Sequence, residues 1–452
     1  MPRRSILVCL LSLLAVGLTG STVDASPNEA IPSFLYTAAK AYEPLAWMQG
    51  GERFPSGASI FVSDSKSQHP LLSGFAASAD PIVSFDGERL LFAGKQTSAE
   101  SWQIWELALN GGKPRRISAG AEDCIRPVYL PEDRIVYARK IRNRFVVEAV
   151  SLLGGKPLAL TYGAANSVPT GVLHDGRILF ESEYASGAQT IPEIYTVYPD
   201  GSGVESYRCD HGKARYSAKQ VSSGDIVFVS EDGLGRFTSS RAHQLSVLAP
   251  AGEYAGEVSE TPDGAWILSW RPDEKVPFQV ALWAPGSPKL RPVMADLNAN
   301  LLQPVLLGPR PVPNRHPSGL HDWPNANLLC LNAYTSKYQF AASSIHAVRL
   351  YTRDEQGKPR LLGTAAVEQD GSFFVQVPSE QPLQVELIDA ADKTLKREAG
   401  FFWMRRGEQR GCVGCHAGPE TAPENAVPMT LLKSTVPADM TGTTAPGAAG
   451  GR

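Results

Sequence analysis

Residues 45–300 repeat one short pattern, a turn followed by an apolar strand, at nearly constant spacing. The copies are DGERLLF (86–92), EDRIVYA (132–138), DGRILFE (175–181), SGDIVFVS (223–230) and DGAWILSW (263–270). Measured at Arg89, Arg134, Arg177, Asp225 and Trp266, the steps are 45, 43, 48 and 41 residues. A second half-repeat runs from a strand into a turn, as in QIWELALNGGKPRRIS (103–118) and EAVSLLGGKPLALT (148–161). Looser copies begin at residues 59, 193, 244 and 279. Units of about 40–45 residues with several strands each are the mark of propeller blades, whose small sheets bury their two apolar faces against neighbours. The Asp-Gly pairs suit tight turns between antiparallel strands.

The later strand occurs six times and the earlier one five times, so the sequence enters a blade part-way, near residue 45. A strand from the far end, LLQPVLLG (301–308), would complete that blade and close the ring. The expected fold is all-β: a six-bladed β-propeller over residues 40–308, followed by a small immunoglobulin-like β-sandwich with a C-terminal c-type haem motif. Seven blades or stacked sandwiches are the alternatives. The SFDG (84–87) and TPDG (261–264) turns resemble the TolB-type propeller repeat. That resemblance implies a fold and no particular activity.

Five prolines in PRPVPNRHPSGLHDWPN (309–325) disfavour helix and interrupt strand pairing, so residues 309–326 read as an extended linker. Alternating segments follow: NLLCLNAY (327–334), HAVRLYTR (346–353), LLGTAAVEQDGSFFVQVP (361–378) and LQVELIDAADKTLKREAGFFW (383–403). Six or seven strands in this space predict the sandwich, over residues 327–420. Residues 421–452, rich in Thr, Ala, Pro and Gly, are expected to be largely disordered.

The first 25 residues read as a secretory signal: Arg3 and Arg4, the apolar run ILVCLLSLLAVGL (6–18), and Val23-Asp24-Ala25 before a cleavage point. No other stretch is long and apolar enough to span a bilayer, so the mature chain is expected without an integral membrane segment, in the periplasm or outside the cell. The formal net charge of −3 argues against a nucleic-acid partner. Cleavage would leave Cys124, Cys209, Cys330, Cys412 and Cys415. Spacing does not support a Cys124–Cys209 disulfide.

Cys412-Val413-Gly414-Cys415-His416 is a C-x-x-C-H run. Two cysteines three apart bring both sulfurs to the two vinyl groups of a haem, and the following histidine turns its imidazole to the iron. Chance alone gives roughly one such run in 700 chains of this composition. The competing readings are a redox dithiol, which lacks a βαβ unit to sit in, and half a zinc site, which lacks a second C-x-x-C. One covalent haem c is therefore expected, on Cys412 and Cys415, with His416 the metal ligand. Thirty-six residues follow His416. They are too few to bury a porphyrin, so the preceding sandwich, with one end of the propeller, would have to form the pocket.

LLCLNAYTS (328–336), VEQDGSFFVQVP (367–378) and FFWMRRGEQRGCVGCHAGPETAPENAVP (401–428) together resemble the middle domain of the hydrazine synthase alpha subunit. The resemblance covers about residues 310–430, and GEQRGCVGCH is its most specific part. It implies a propeller packed on a haem-bearing domain, with a further cytochrome domain following in that family. It does not by itself transfer the family's multi-haem, multi-subunit activity. In that family a tyrosine near the motif replaces the expected histidine. Here Glu420 stands four residues after His416, and no tyrosine follows the motif. The expectation is ordinary His416 ligation, or a tyrosine from elsewhere such as Tyr334. The family also implies a further cysteine contact to the haem, which Cys330 matches.

The sixth iron position decides the chemistry. Met429 is the first candidate, Met440 a lesser one in the tail, and His316 and His321 are candidates in the linker. Arg410, with Arg405 and Arg406, is placed to meet haem propionates. Phe402 and Trp403 would pack on the porphyrin edge or finish the sandwich core. Three functions follow: a monohaem cytochrome-like electron carrier with a redox partner protein; a haem enzyme with open iron acting on a small nitrogen or oxygen substrate; or a propeller scaffold without haem.

Overall fold

The computed structural model describes residues 31–64, 67–186, 188–208, 210–239, 244–247, 249–353, 357–414 and 425–442. The expected signal segment, 1–25, lies outside the described residues.

Six four-stranded antiparallel sheets follow one another from residue 34 to residue 306. Their innermost strands are Asn300–Leu306, Ala77–Val83, Cys124–Leu130, Ser167–Val172, Tyr216–Gln220 and Glu253–Glu260; we number the sheets 1 to 6 in that order. These strands touch in cyclic order, sheet 6 returning to sheet 1, so the structure is a closed β-propeller. Asn300–Leu306 pairs antiparallel with Phe34–Ala39, stitching the end of the ring to its beginning. Phe34–Ala39 (FLYTAA) lies ahead of residue 40, where the propeller was expected to begin. It has no turn-strand signature, only a run of buried apolar side chains.

The sequence repeat maps onto the hairpin that leaves the innermost strand of sheets 2 to 6. Gly87, Gly176, Gly224 and Gly264 take φ of 80–91° and donate to the carbonyls of Ser84, Leu173, Val221 and Thr261. Only glycine adopts this backbone at low cost. In EDRIVYA the same turn is made by Glu132 and Asp133, at φ 66° and 50°. The strand after each turn is buried on both faces, as in Arg134–Ile141, because adjacent sheets cover it.

Every innermost strand is interrupted by a bulge or register shift. In five of them a residue at or beside the shift takes positive φ: Asp80, Arg126, Ser217, Gln303 and Gly256. Bulges re-aim side chains, and here they gather polar groups at the axis of the ring.

Residues 308–324 form no regular element. They run as a strap over the turns at one face of the propeller. Arg310 N–H donates to Phe85 O, Asn314 N–H to His174 O, and Arg315 pairs with Glu132 at 3.0 Å. Beyond it, two sheets pack into a sandwich, one ordered Gln409–Cys412, Asn325–Cys330, Phe373–Pro378, Ala438–Asp439, the other Pro359–Ala366, Ala347–Arg353, Gln384–Ile388, Thr394–Arg397. Leu328, Val375 and Val377 face Val348, Leu350 and Leu387 across its core. Two strand pairs in the first sheet are parallel.

The region expected to be disordered contributes to this sandwich. Helix Met429–Lys433 begins on the Asp370 turn, and Ala438–Asp439 extends the sheet beside Val375 and Gln376. Met440, expected in a flexible tail, is 1% exposed within the core. Residues 421–424 and 443–452 lie outside the described residues. No helix among the described residues is long and apolar enough to cross a membrane.

Candidate functional site

Strand Gln409–Cys412 lies parallel to Asn325–Cys330, with Leu328 opposite Arg410 and Cys330 opposite Cys412. Register partners on neighbouring strands point to the same face of a sheet. Cys330 is buried in the sandwich core, and Cys412 packs half-buried against the same cluster. Burial pushes the Cys412 thiol up from its ordinary pKa, against the pull of Arg410. The Cys412 thiol is free, as is that of Cys124, which burial raises to about 11. Cys209, Cys415 and His416 lie outside the described residues.

The strand end is held by backbone fits that admit only glycine. Leu331 N–H donates to Cys412 O at 2.9 Å. A Cβ on Gly414 would press on the Asn332 carbonyl at 2.7 Å and on the Thr335 carbonyl more closely still. Gly407 takes φ 69°, and a Cβ there would collide with the backbone of His321. The motif strand is thus locked between the strap and the loop after Cys330.

The basic residues are committed to other partners. Glu408, 6% exposed, accepts from Arg410 Nε and Nη2 (2.9 and 2.6 Å), from Arg405 N–H (2.7 Å) and from Gly203 N–H of the propeller (3.1 Å). Arg410 also donates to Val204 O. Arg405 pairs with Glu380 and donates to the Tyr162 hydroxyl. Of the three arginines expected to meet propionates, only Arg406 is exposed. Arg410 instead braces the sandwich against sheet 4, because a buried Glu408 two residues away is its nearest counter-ion.

Trp403 does not finish the sandwich core. It enters the seam between sheets 3 and 4, among Val128, Phe180 and Val204, with Tyr162 and Phe180 at ring distances of 6.2 and 6.5 Å. Phe402 touches both that cluster and the sandwich core. The sandwich therefore rests on the flank of sheets 3 and 4, and not solely on an end of the ring.

The other candidates are dispersed. Tyr334 accepts from Ile345 N–H at 3.1 Å through its hydroxyl. His316 stacks on Tyr198 at 3.6 Å, and His321 on Trp323 at 4.5 Å. Met429 N–H donates to Asp370 at 2.7 Å, and Thr430 N–H to Ser372. Burial opposes ionisation of Asp370, but Met429 N–H with the Ser372 N–H and hydroxyl hold its carboxyl below the ordinary range. The Asp370 turn leads into Phe373, the partner of Cys330, so the Met429 helix and both cysteines share one edge of the sandwich. Among the described residues, no three His, Cys, Asp or Glu side chains cluster to hold a metal.

Residues 335–417 match the family described as the hydrazine synthase alpha subunit middle domain. Over those residues the chain is similar to that domain. Hydrazine synthase from Kuenenia stuttgartiensis superposes on 90% of this chain and on 72% of its own, with a TM-score of 0.75 at 17% identity. TolB from Acinetobacter baumannii covers 61% of the chain and 66% of its own, at a TM-score of 0.46 and 12% identity. No curated protein matches.

A haem is the group this likeness implies. Cys412 is a free, half-buried thiol at the open end of a strand, against an apolar bed formed with Cys330, Ala333 and Phe373. That donor and bed fit one thioether attachment. What sequence reasoning missed was the anchoring role of Glu408 and Trp403. The tight GEQRGC spacing, with an acid between arginines, was the available signal.

Proposed function

We propose that this chain is an exported haem c protein, with one haem held by thioethers to Cys412 and Cys415 and His416 as iron ligand. A haem iron there exchanges single electrons. The chain's own residues fix the attachment strand: Gly407 and Gly414 lock its backbone, Cys330 and Phe373 supply the apolar floor, and Glu408, Arg405 and Arg410 brace it on the propeller. The carrying observation is the position of Cys412, a free thiol at the edge of an apolar cluster and beside Cys330. We read the six sheets as six blades and the second domain as an immunoglobulin-like sandwich.

The role is electron transfer to a partner protein in a periplasmic redox complex. A second reading, open iron acting on a small nitrogen or oxygen substrate, draws on the engagement of Tyr334, His316 and His321 elsewhere. Expression with haem-attachment machinery, followed by a haem stain on a denaturing gel, tests the attachment. A low-spin spectrum indifferent to added cyanide or imidazole supports the carrier; a high-spin spectrum that shifts supports the open site. A colourless, unstained chain overturns both.

A further inference from the structure

At the axis of the propeller, beneath the strap, lies a cavity of about 890 Å³. One valine from each sheet lines it: Val305, Val83, Val128, Val172, Val221 and Val258. Its floor is a buried ionic network. Asp80 takes Arg53 at 2.5 Å, Gln303 Nε2 at 2.6 Å and Arg126 N–H at 2.9 Å. Arg126 in turn pairs with Glu257 and donates to Pro169 O. At the rim, Glu260 accepts from Ser222 N–H and its hydroxyl, and Asp263 and His174 stand at the mouth.

Two cations in this cavity have no such partner. Lys219, from sheet 5, runs past Gly171 of sheet 4, and its ammonium makes no ion pair or hydrogen bond to any described residue. The guanidinium of Arg310, from the strap, lies over the Phe85 ring at 4.2 Å and, among the described residues, donates only to Val83 O, with no carboxylate within ion-pair distance. Burial, followed by the charge of Arg310, pulls the Lys219 ammonium down to about 8. Burial alone pulls Arg310 to about 10. Charges taken out of water are unfavourable until a counter-charge meets them. Of the lining carboxylates, Glu257, Asp80 and Glu260 are already committed to Arg126, Arg53 and Ser222.

We propose that this axial cavity binds an organic anion with an apolar body, its charged end between Lys219 and Arg310 and its body against the ring of valines. Sites of this size and lining suit small molecules held by a few polar groups. A simple inorganic anion would leave the valines bare, and a neutral apolar molecule would leave both cations unmet.

The full-length protein is titrated with octanoate, octan-1-ol and acetate by calorimetry. Octanoate should bind at least about tenfold more tightly than either of the others. Lys219→Gln and Arg310→Gln should each weaken octanoate about 10–100-fold, the loss of one charge-assisted contact. Lys219→Arg should largely restore it. On the unaltered protein, octanoate and not octanol should shield Lys219 from acetic anhydride, mapped by mass spectrometry, so the test stands even if a variant fails to fold. Equal affinity for octanoate and octanol, unshielded Lys219, or folded glutamine variants that bind octanoate as before would each overturn the proposal.

Discussion

Cys330 and Cys412 face each other as register partners on adjacent parallel strands, one buried in the sandwich core and the other at its edge. Partners in a sheet lie about 4.8 Å apart between backbones, so a group attached at Cys412 lies against Cys330. Cys330→Ser should leave covalent haem attachment intact, because it removes no thioether. It should shift the visible spectrum of the product and lower stability by about 1–3 kcal/mol, as a hydroxyl is buried among apolar groups. An unchanged spectrum would remove Cys330 from the haem's surroundings.

Trp403 joins the two domains by entering the seam of sheets 3 and 4. Trp403→Ala should cost about 3–5 kcal/mol of that contact. Calorimetry should then resolve two thermal transitions in place of a single one, and proteolysis should cut within 309–324.

Gly407 combines φ 69° with a backbone of the strap where its Cβ would stand. Gly407→Ala should destabilise the sandwich by about 2 kcal/mol or more. Haem incorporation should fall in parallel, measured as Soret absorbance per milligram of exported chain.

Glu181 is 1% exposed, accepts from Ser217 and Ala218 N–H, and has one oxygen without a partner among the described residues. Burial raises its pKa from 4.5 to about 7, with Arg126 opposing and Glu257 adding to the rise. Between those two values the folded chain keeps a proton that the unfolded chain has released. Stability from this group is therefore full below about pH 4.5 and is lost as pH rises through 7, by on the order of 3 kcal/mol. Denaturant titrations from pH 4.5 to 8 should show this slope, flattened in Glu181→Gln. Lys219 acts with the opposite sign, and only above about pH 8.

Much of the ring was legible because its turns are local: a strand, an Asp-Gly turn and a second strand declare themselves within a dozen residues. Phe34–Ala39 was not, since its pairing with Asn300–Leu306 spans the whole propeller and leaves no periodic trace. The tail misled for a related reason. Its Thr, Ala and Pro composition reads as disorder, yet Met440 and two strand residues find places on a sheet already built. At the site, the C-x-x-C-H run raised the expectation of haem attachment, and the likeness to the hydrazine synthase alpha middle domain singled out Cys330, which the fold sets opposite Cys412. Arg410 was misread because its partner depends on the burial of Glu408, which no spacing reveals. Trp403 was assigned to the nearest core in sequence, whereas the fold turns it to the farther one.

The most direct test is the intact mass of the chain exported alongside working haem-attachment machinery, compared with its Cys412→Ser variant. One haem per mature chain, with two-point attachment lost in the variant, is the expected result. An unmodified, colourless chain from cells that mature a control cytochrome would contradict it.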